Sequence, residues 1–144
     1  MHARPVMGQR IARRILAIER HAPDHLGARR RAAFHVCDKL RKLLSGLAGE
    51  AGFRSLLTRA HALAVAEVGW LESIMIEPDG SLSGLEVTSG LSEDEVDRGE
   101  IILIAQLISL LVIFIGESLT LRLLQDAWPE VSRSDMNSGP ESEQ

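Results

Sequence analysis

The chain has 144 residues, enough for one domain, and a formal net charge of −4. A single cysteine, Cys37, excludes an internal disulfide and suits a reducing compartment. Aromatic residues make up 3 % of the chain and Tyr is absent, so the core must be aliphatic and platforms for base stacking are scarce.

The charge is unevenly placed. Residues 1–60 hold 13 Lys/Arg and 4 Asp/Glu, whereas residues 61–144 hold 3 and 16. Such a split suits docking of one half on the other, within or between subunits, or a basic end that meets an acidic partner.

The opening Met1-His2-Ala3-Arg4-Pro5 lacks an apolar signal region, so a cytoplasmic location is expected. A first helix is predicted to Ala22, with Pro5 in its first turn and Ile11, Ile15, Ile18 and Ala22 as its apolar stripe. Arg10, Arg13 and Arg14 lie off that stripe, on a solvated face or against a phosphate backbone. His21 and His25 have the spacing of a zinc pair, but Pro23 breaks the face they would share and no third ligand is evident. No metal and no cofactor is expected.

A second helix is predicted from about Asp24 to Ser45. Leu26, Arg30, Ala33, Cys37, Leu40 and Leu44 form its seam, which makes Cys37 a small core residue. Arg29, Arg30 and Arg31 complete the basic patch begun by Arg10, Arg13 and Arg14. Gly46, Gly49 and Gly52 then read as a helix end and connector; the Gly-Lys-Ser/Thr ending of a phosphate loop is missing.

A third helix is predicted over 53–73, with Phe53, Leu57, Ala60 and Ala64 among its stripe and Trp70 near its end, capping the core or packed on a basic stem. Pro78-Asp79-Gly80 signals a turn, so residues 74–90 read as a small hairpin or irregular excursion. Ser92 and Glu95 fit a capping box, opening a last helix that runs from Glu93 to Trp128, where Pro129 stops it. Gly99 and Gly116 are its candidate kinks. The polar, aperiodic residues 130–144 are expected to be a disordered tail.

The last helix contains the run Ile101 to Gly116, broken only by Gln106 and Ser109. A membrane span needs ~20 apolar residues, and this run stops short at Glu117. Acidic residues precede it, where a span would have a basic anchor. A strand would be shorter, so a central core helix is the reading. Gln106, Ser109, Ile113, Gly116 and Thr120 lie on one stripe that admits a close helix crossing, in the core or between subunits. Glu117 flanks it. A buried carboxylate needs a partner, so an ion pair to Arg54 or Arg59 is predicted.

Leu40 to Leu44, Gly52-Phe53-Arg54-Ser55-Leu56-Leu57, Ala60 to Leu71, Gln106 to Leu111 and Phe114-Ile115-Gly116-Glu117 through Trp128-Pro129 carry a resemblance. Over about Ala32 to Pro129 the chain resembles a family of small bacterial all-helical proteins with no known activity. That family has Pro before the Trp where this chain has Gly69. The resemblance implies a bacterial helical protein and transfers no activity.

The expected fold is therefore all-α: roughly a four-helix bundle in one domain over 1–129, with a long C-terminal core helix and a small insertion before it. At ~1.5 Å per residue the last helix would reach ~50 Å, more than a compact domain needs, which favours self-association or a protein partner. The expected function is a non-catalytic interaction module: a small oligomer, adaptor or regulatory subunit. A nucleic-acid-associated regulator using the basic N-terminal half is the alternative, and a membrane-associated protein built on 101–115 a further one. No catalytic residues are expected, since no nucleophile–base pair, metal cluster or phosphate loop is present in the sequence.

Overall fold

The computed structural model describes residues 8–21, 32–84 and 90–136. The fold is all-α. Four helices, α1 (Gln9–Arg20), α2 (Ala32–Glu67), α3 (Glu93–Ile115) and α4 (Glu117–Ala127), are joined by a two-strand insertion and two 3-10 turns, Gly69–Ser73 and Arg133–Met136. The insertion is the expected hairpin: β1 (Met75–Ile76) pairs antiparallel with β2 (Leu82–Ser83) across the Pro78-Asp79-Gly80 turn.

Helix α3 is the axis of the bundle. Its start is fixed locally: the Ser92 side chain accepts from the Glu95 N–H, and the Glu95 carboxylate accepts from the Ser92 N–H. Glu93, Asp94 and Glu95 also meet the positive end of the helix dipole. Ile102, Leu103, Ile104, Ala105, Leu107, Ile108 and Leu111 are all buried, so the first two-thirds of the apolar run packs against protein, while Ile113 and Phe114 near its end are exposed. Among the described residues, α3 is the one helix long and apolar enough to cross a membrane, and half of its most apolar window lies inside the bundle.

Helix α2 cannot be straight. Thirty-six residues would span ~54 Å. Yet the Ala33 N–H lies 3.4 Å from the Glu100 carboxylate, while Trp70, just past the other end of α2, lies against Gly99. Both ends thus meet consecutive residues of α3. The reversal is at Gly49, whose φ of 79° and ψ of 164° suit only glycine. The predicted connector over 46–52 is narrower than expected: Gly49 alone leaves helical geometry, and Gly46 and Gly52 stay helical.

The predicted helix from Glu93 to Trp128 is two helices. Gly116, at φ 91° and ψ 159°, ends α3 and starts α4. Helix α4 then turns back, because Trp128 reaches Glu19 near the end of α1. Gly99 does not kink α3; it is a contact point, where an added Cβ would fall 2.4 Å from the Trp70 ring. The unbroken helix of ~50 Å does not exist, so length no longer argues for self-association.

Helix α1 runs antiparallel to α3. Gly8 lies against Ile108, and Arg20 pairs with Asp97 and Glu100. The third predicted helix also ends early: α2 stops at Glu67, and Val68, extended at φ −132°, leads into the 3-10 turn. The predicted tail over 130–144 needs correction as well. Val131 and Met136 are buried, and Arg14 and Arg10 donate to the carbonyls of Glu130 and Ser134, so the chain is ordered through Met136. Residues 137–144 lie outside the described residues, as do the predicted starts of the first two helices.

Candidate interaction surface

The two ends of the bundle differ in chemistry. At one end, where α1 finishes and α3 begins, polar side chains tie the elements together. The Glu100 carboxylate is 1 % exposed and accepts from Arg20 Nη2 at 3.0 Å. It also faces the N-terminus of α2, where the Ala33 N–H approaches it at 3.4 Å and the helix dipole favours an anion. Arg20 reaches Asp97 at 3.1 Å as well. Glu19, equally buried, accepts from the Trp128 indole at 2.9 Å and pairs with Lys39, whose ammonium sits 5.6 Å from the centre of the Trp128 ring. Trp70 donates its indole N–H to the Glu95 carbonyl at 3.0 Å, and Arg98 donates to the Glu67 carbonyl.

Sequence reasoning missed this network, although a signal was present. Val96, Glu100, Leu103 and Leu107 share one helical stripe, as do Ile11, Ile15 and Glu19. A carboxylate on an apolar stripe is buried with its helix, so it must be paired.

The predicted buried ion pair is not formed. Glu117, Arg54 and Arg59 are all exposed, and among the described residues no ion pair joins them. The physical reason is the break at Gly116: it places Glu117 in the first turn of α4, in solvent. His61 is used structurally, its Nε2 lying 2.8 Å from the Leu71 carbonyl oxygen.

The basic patch is divided. Arg10 and Arg14 hold the segment after α4, and Arg13 is exposed beside Asp94 and Asp97. Arg29, Arg30 and Arg31 lie outside the described residues, as does His25 of the predicted zinc pair. Among the described residues, no group of three or more His, Cys, Asp or Glu is placed to hold a metal. Two open depressions flank Arg98, of about 290 and 250 Å³. Trp70, Leu91 and Glu95 line the first; Arg13, Asp94 and Asp97 line the second. Neither joins a nucleophile to a base.

The predicted stripe on α3 divides along its length. Gln106 and Ser109 are half-buried, Ile113 is 78 % exposed, Gly116 is exposed, and Thr120 is fully buried on α4. Beyond Ile108 the cover from the described part of α1 ends. There Ile113 and Phe114 turn outward, Phe114 with 57 % exposure, and Leu119 adds 38 % from α4. Leu47, beside the Gly49 reversal, is also exposed. Both arms of α2 pack along α3 from Glu100 onward, so the reversals at Gly49 and Gly116 lie at the same end. That end lacks the polar ties of the other. Among the described residues, none in 44–56 or 110–124 makes a hydrogen bond to another element.

Compared with known proteins, the chain matches no family model, no curated protein and no solved structure.

Proposed function

We propose that this protein is a non-catalytic interaction module whose docking face is the apolar end formed by Ile113, Phe114 and Leu119. The observation that carries this reading is their exposure on either side of the Gly116 turn. Scattered single apolar residues on a surface are ordinary, but here Ile113 and Phe114 are adjacent and Leu119 follows just past the turn, and large apolar residues with an aromatic among them are the composition of a docking site. The role is that of an adaptor, oligomer or regulatory subunit. The resemblance to small bacterial helical proteins carries no activity, and the reading does not depend on it.

The nucleic-acid alternative is less well supported. Arg10, Arg14, Arg20 and Lys39 are engaged within the subunit, so fewer cations remain to displace counterions from a phosphate backbone. The membrane alternative is weakened by the burial of most of the 101–111 segment.

The test is capture from the native cell with wild-type protein and with an Ile113→Asp, Phe114→Ser double variant. A partner retained by the wild type and lost from the variant supports the reading. Identical sets of bound proteins, with no difference in the bait's own mass, count against it.

A further inference from the structure

We infer that residues 130–136 are a strap, clipped by Arg10 and Arg14, that opens at Pro129 and recloses as one piece while the four helices stay folded. None of the docking residues proposed above takes part.

The hinge is set by unlike chemistry on its two sides. Trp128 is 1 % exposed, donates its indole N–H to Glu19 and lies under the Lys39 ammonium, so the end of α4 is anchored in the bundle. Its main-chain N–H bonds the Leu124 carbonyl and closes the helix. Pro129 follows, exposed and without an N–H to tie it down. Past it the chain bonds to itself. The Asp135 N–H donates to the Ser132 carbonyl at 3.0 Å, and the Ser132 N–H to the Asp135 carboxylate at 2.9 Å. These bonds travel with the strap and survive its opening.

What holds the strap down is of another kind. Among the described residues, the bond from the Val131 N–H to the Trp128 carbonyl at the hinge is the one main-chain hydrogen bond between the strap and the rest of the fold. Three side chains reach out instead, each donating to a strap carbonyl: Arg14 to Glu130 at 3.2 Å, Gln125 to Val131 at 3.1 Å and Arg10 to Ser134 at 3.2 Å. The two arginines stand one turn apart on α1, and their acceptors are four residues apart. Beneath this clip, Val131 and Met136 are buried, while Ser132, Arg133 and Ser134 between them face water. Two apolar anchors under a surface clip mark a segment that opens at a lower free energy than the whole domain. The open state frees both guanidinium groups and uncovers the seats of Val131 and Met136; the closed state hides them.

Thiol labelling of the native full chain carrying Met136→Cys tests this, because the buried Cys37 reports opening of the bundle in the same molecule. The introduced thiol should react roughly a hundredfold more slowly than in an unstructured peptide, and still well ahead of Cys37. Its rate should hardly change in low urea, whereas that of Cys37 should climb steeply, since the slope follows the surface exposed. Arg10→Gln with Arg14→Gln should speed the introduced thiol about tenfold. Amide exchange on the unsubstituted chain covers the case in which Met136→Cys disturbs the fold: the Val131 N–H should exchange ahead of the Leu103 N–H of α3, again with little urea dependence.

Three results overturn the inference. One is labelling of both thiols at one rate and one urea slope, with Val131 and Leu103 exchanging together, since the segment then opens only with the whole bundle. Another is a Val131 N–H with no protection in the unsubstituted chain, which leaves no closed state. The third is indifference of the introduced thiol to the loss of both arginines, which leaves no clip.

Discussion

Thr120 carries a cost that nothing among the described residues offsets. It is fully buried, its N–H bonds the Gly116 carbonyl at 3.1 Å, and among the described residues its hydroxyl has no hydrogen-bond partner. A buried hydroxyl that loses water and gains no partner is destabilising. Thr120→Val keeps the shape and removes that polar group. It should raise stability by about 1 kcal/mol, seen as a higher urea midpoint at unchanged slope. Cys37 is the opposite case, a polar atom whose neutral form suits its site. Burial, then the negative charges of Asp38 and Glu100, push its thiol up to about 12. In the unfolded chain the thiol titrates near its ordinary value, ~8.5. Above that pH the unfolded chain releases a proton that the folded chain keeps. The contribution of Cys37 to stability should therefore be flat below about pH 8.5 and fall as pH rises toward 12. In Cys37→Ala, denaturation curves across that range should lose this component of the slope. The core role of Cys37 was legible from its place on an apolar seam. The orphaned hydroxyl of Thr120 was not, because hydrogen-bond satisfaction depends on neighbours that spacing does not specify.

At the scale of elements, two glycines decide the architecture. Gly116 occupies a backbone region that costs a residue with a Cβ about 1–3 kcal/mol. Gly116→Ala should lower stability by that amount in chemical denaturation, although an added Cβ would meet no neighbouring atom there. A loss near zero would mean the break does not depend on glycine. What could be read in advance divides by locality. The Ser92–Glu95 capping box and the Pro78-Asp79-Gly80 hairpin turn are written within a few residues each, and both were legible. Gly46, Gly49 and Gly52 are spaced alike, and only Gly49 bends the chain. The choice belongs to α3, against which both arms pack, and no local rule holds that information. Glu117 was misread for the same reason. A continuous helix would have carried it along the core, whereas the turn at Gly116 sets it in water.

For the molecule as a whole, the uneven charge has a partial explanation inside the subunit. Arg20 from the basic half meets Asp97 and Glu100 from the acidic half. Arg10 and Arg14 hold the segment beyond Pro129. That segment belongs to the fold: a chain ending at Pro129 loses the buried Val131 and Met136. It should melt lower, with a loss of about 3 kcal/mol from apolar burial. An unchanged melting curve would show that residues 130–136 add nothing to the core. The all-α class was legible because long apolar-periodic segments leave few alternatives. The open end was not, since which part of a greasy helix goes uncovered depends on where its neighbours stop.

The uneven placement of polar ties makes temperature act unequally along the bundle. The end carrying Glu19, Glu100 and the two tryptophans is fastened by hydrogen bonds, while the end carrying both glycine reversals is held by apolar contact. Apolar association weakens on cooling. Chilling the protein should therefore loosen the reversals first, while the fastened end stays shut, so amide exchange in the cold should rise around Gly49 and Gly116 before it rises around Glu100.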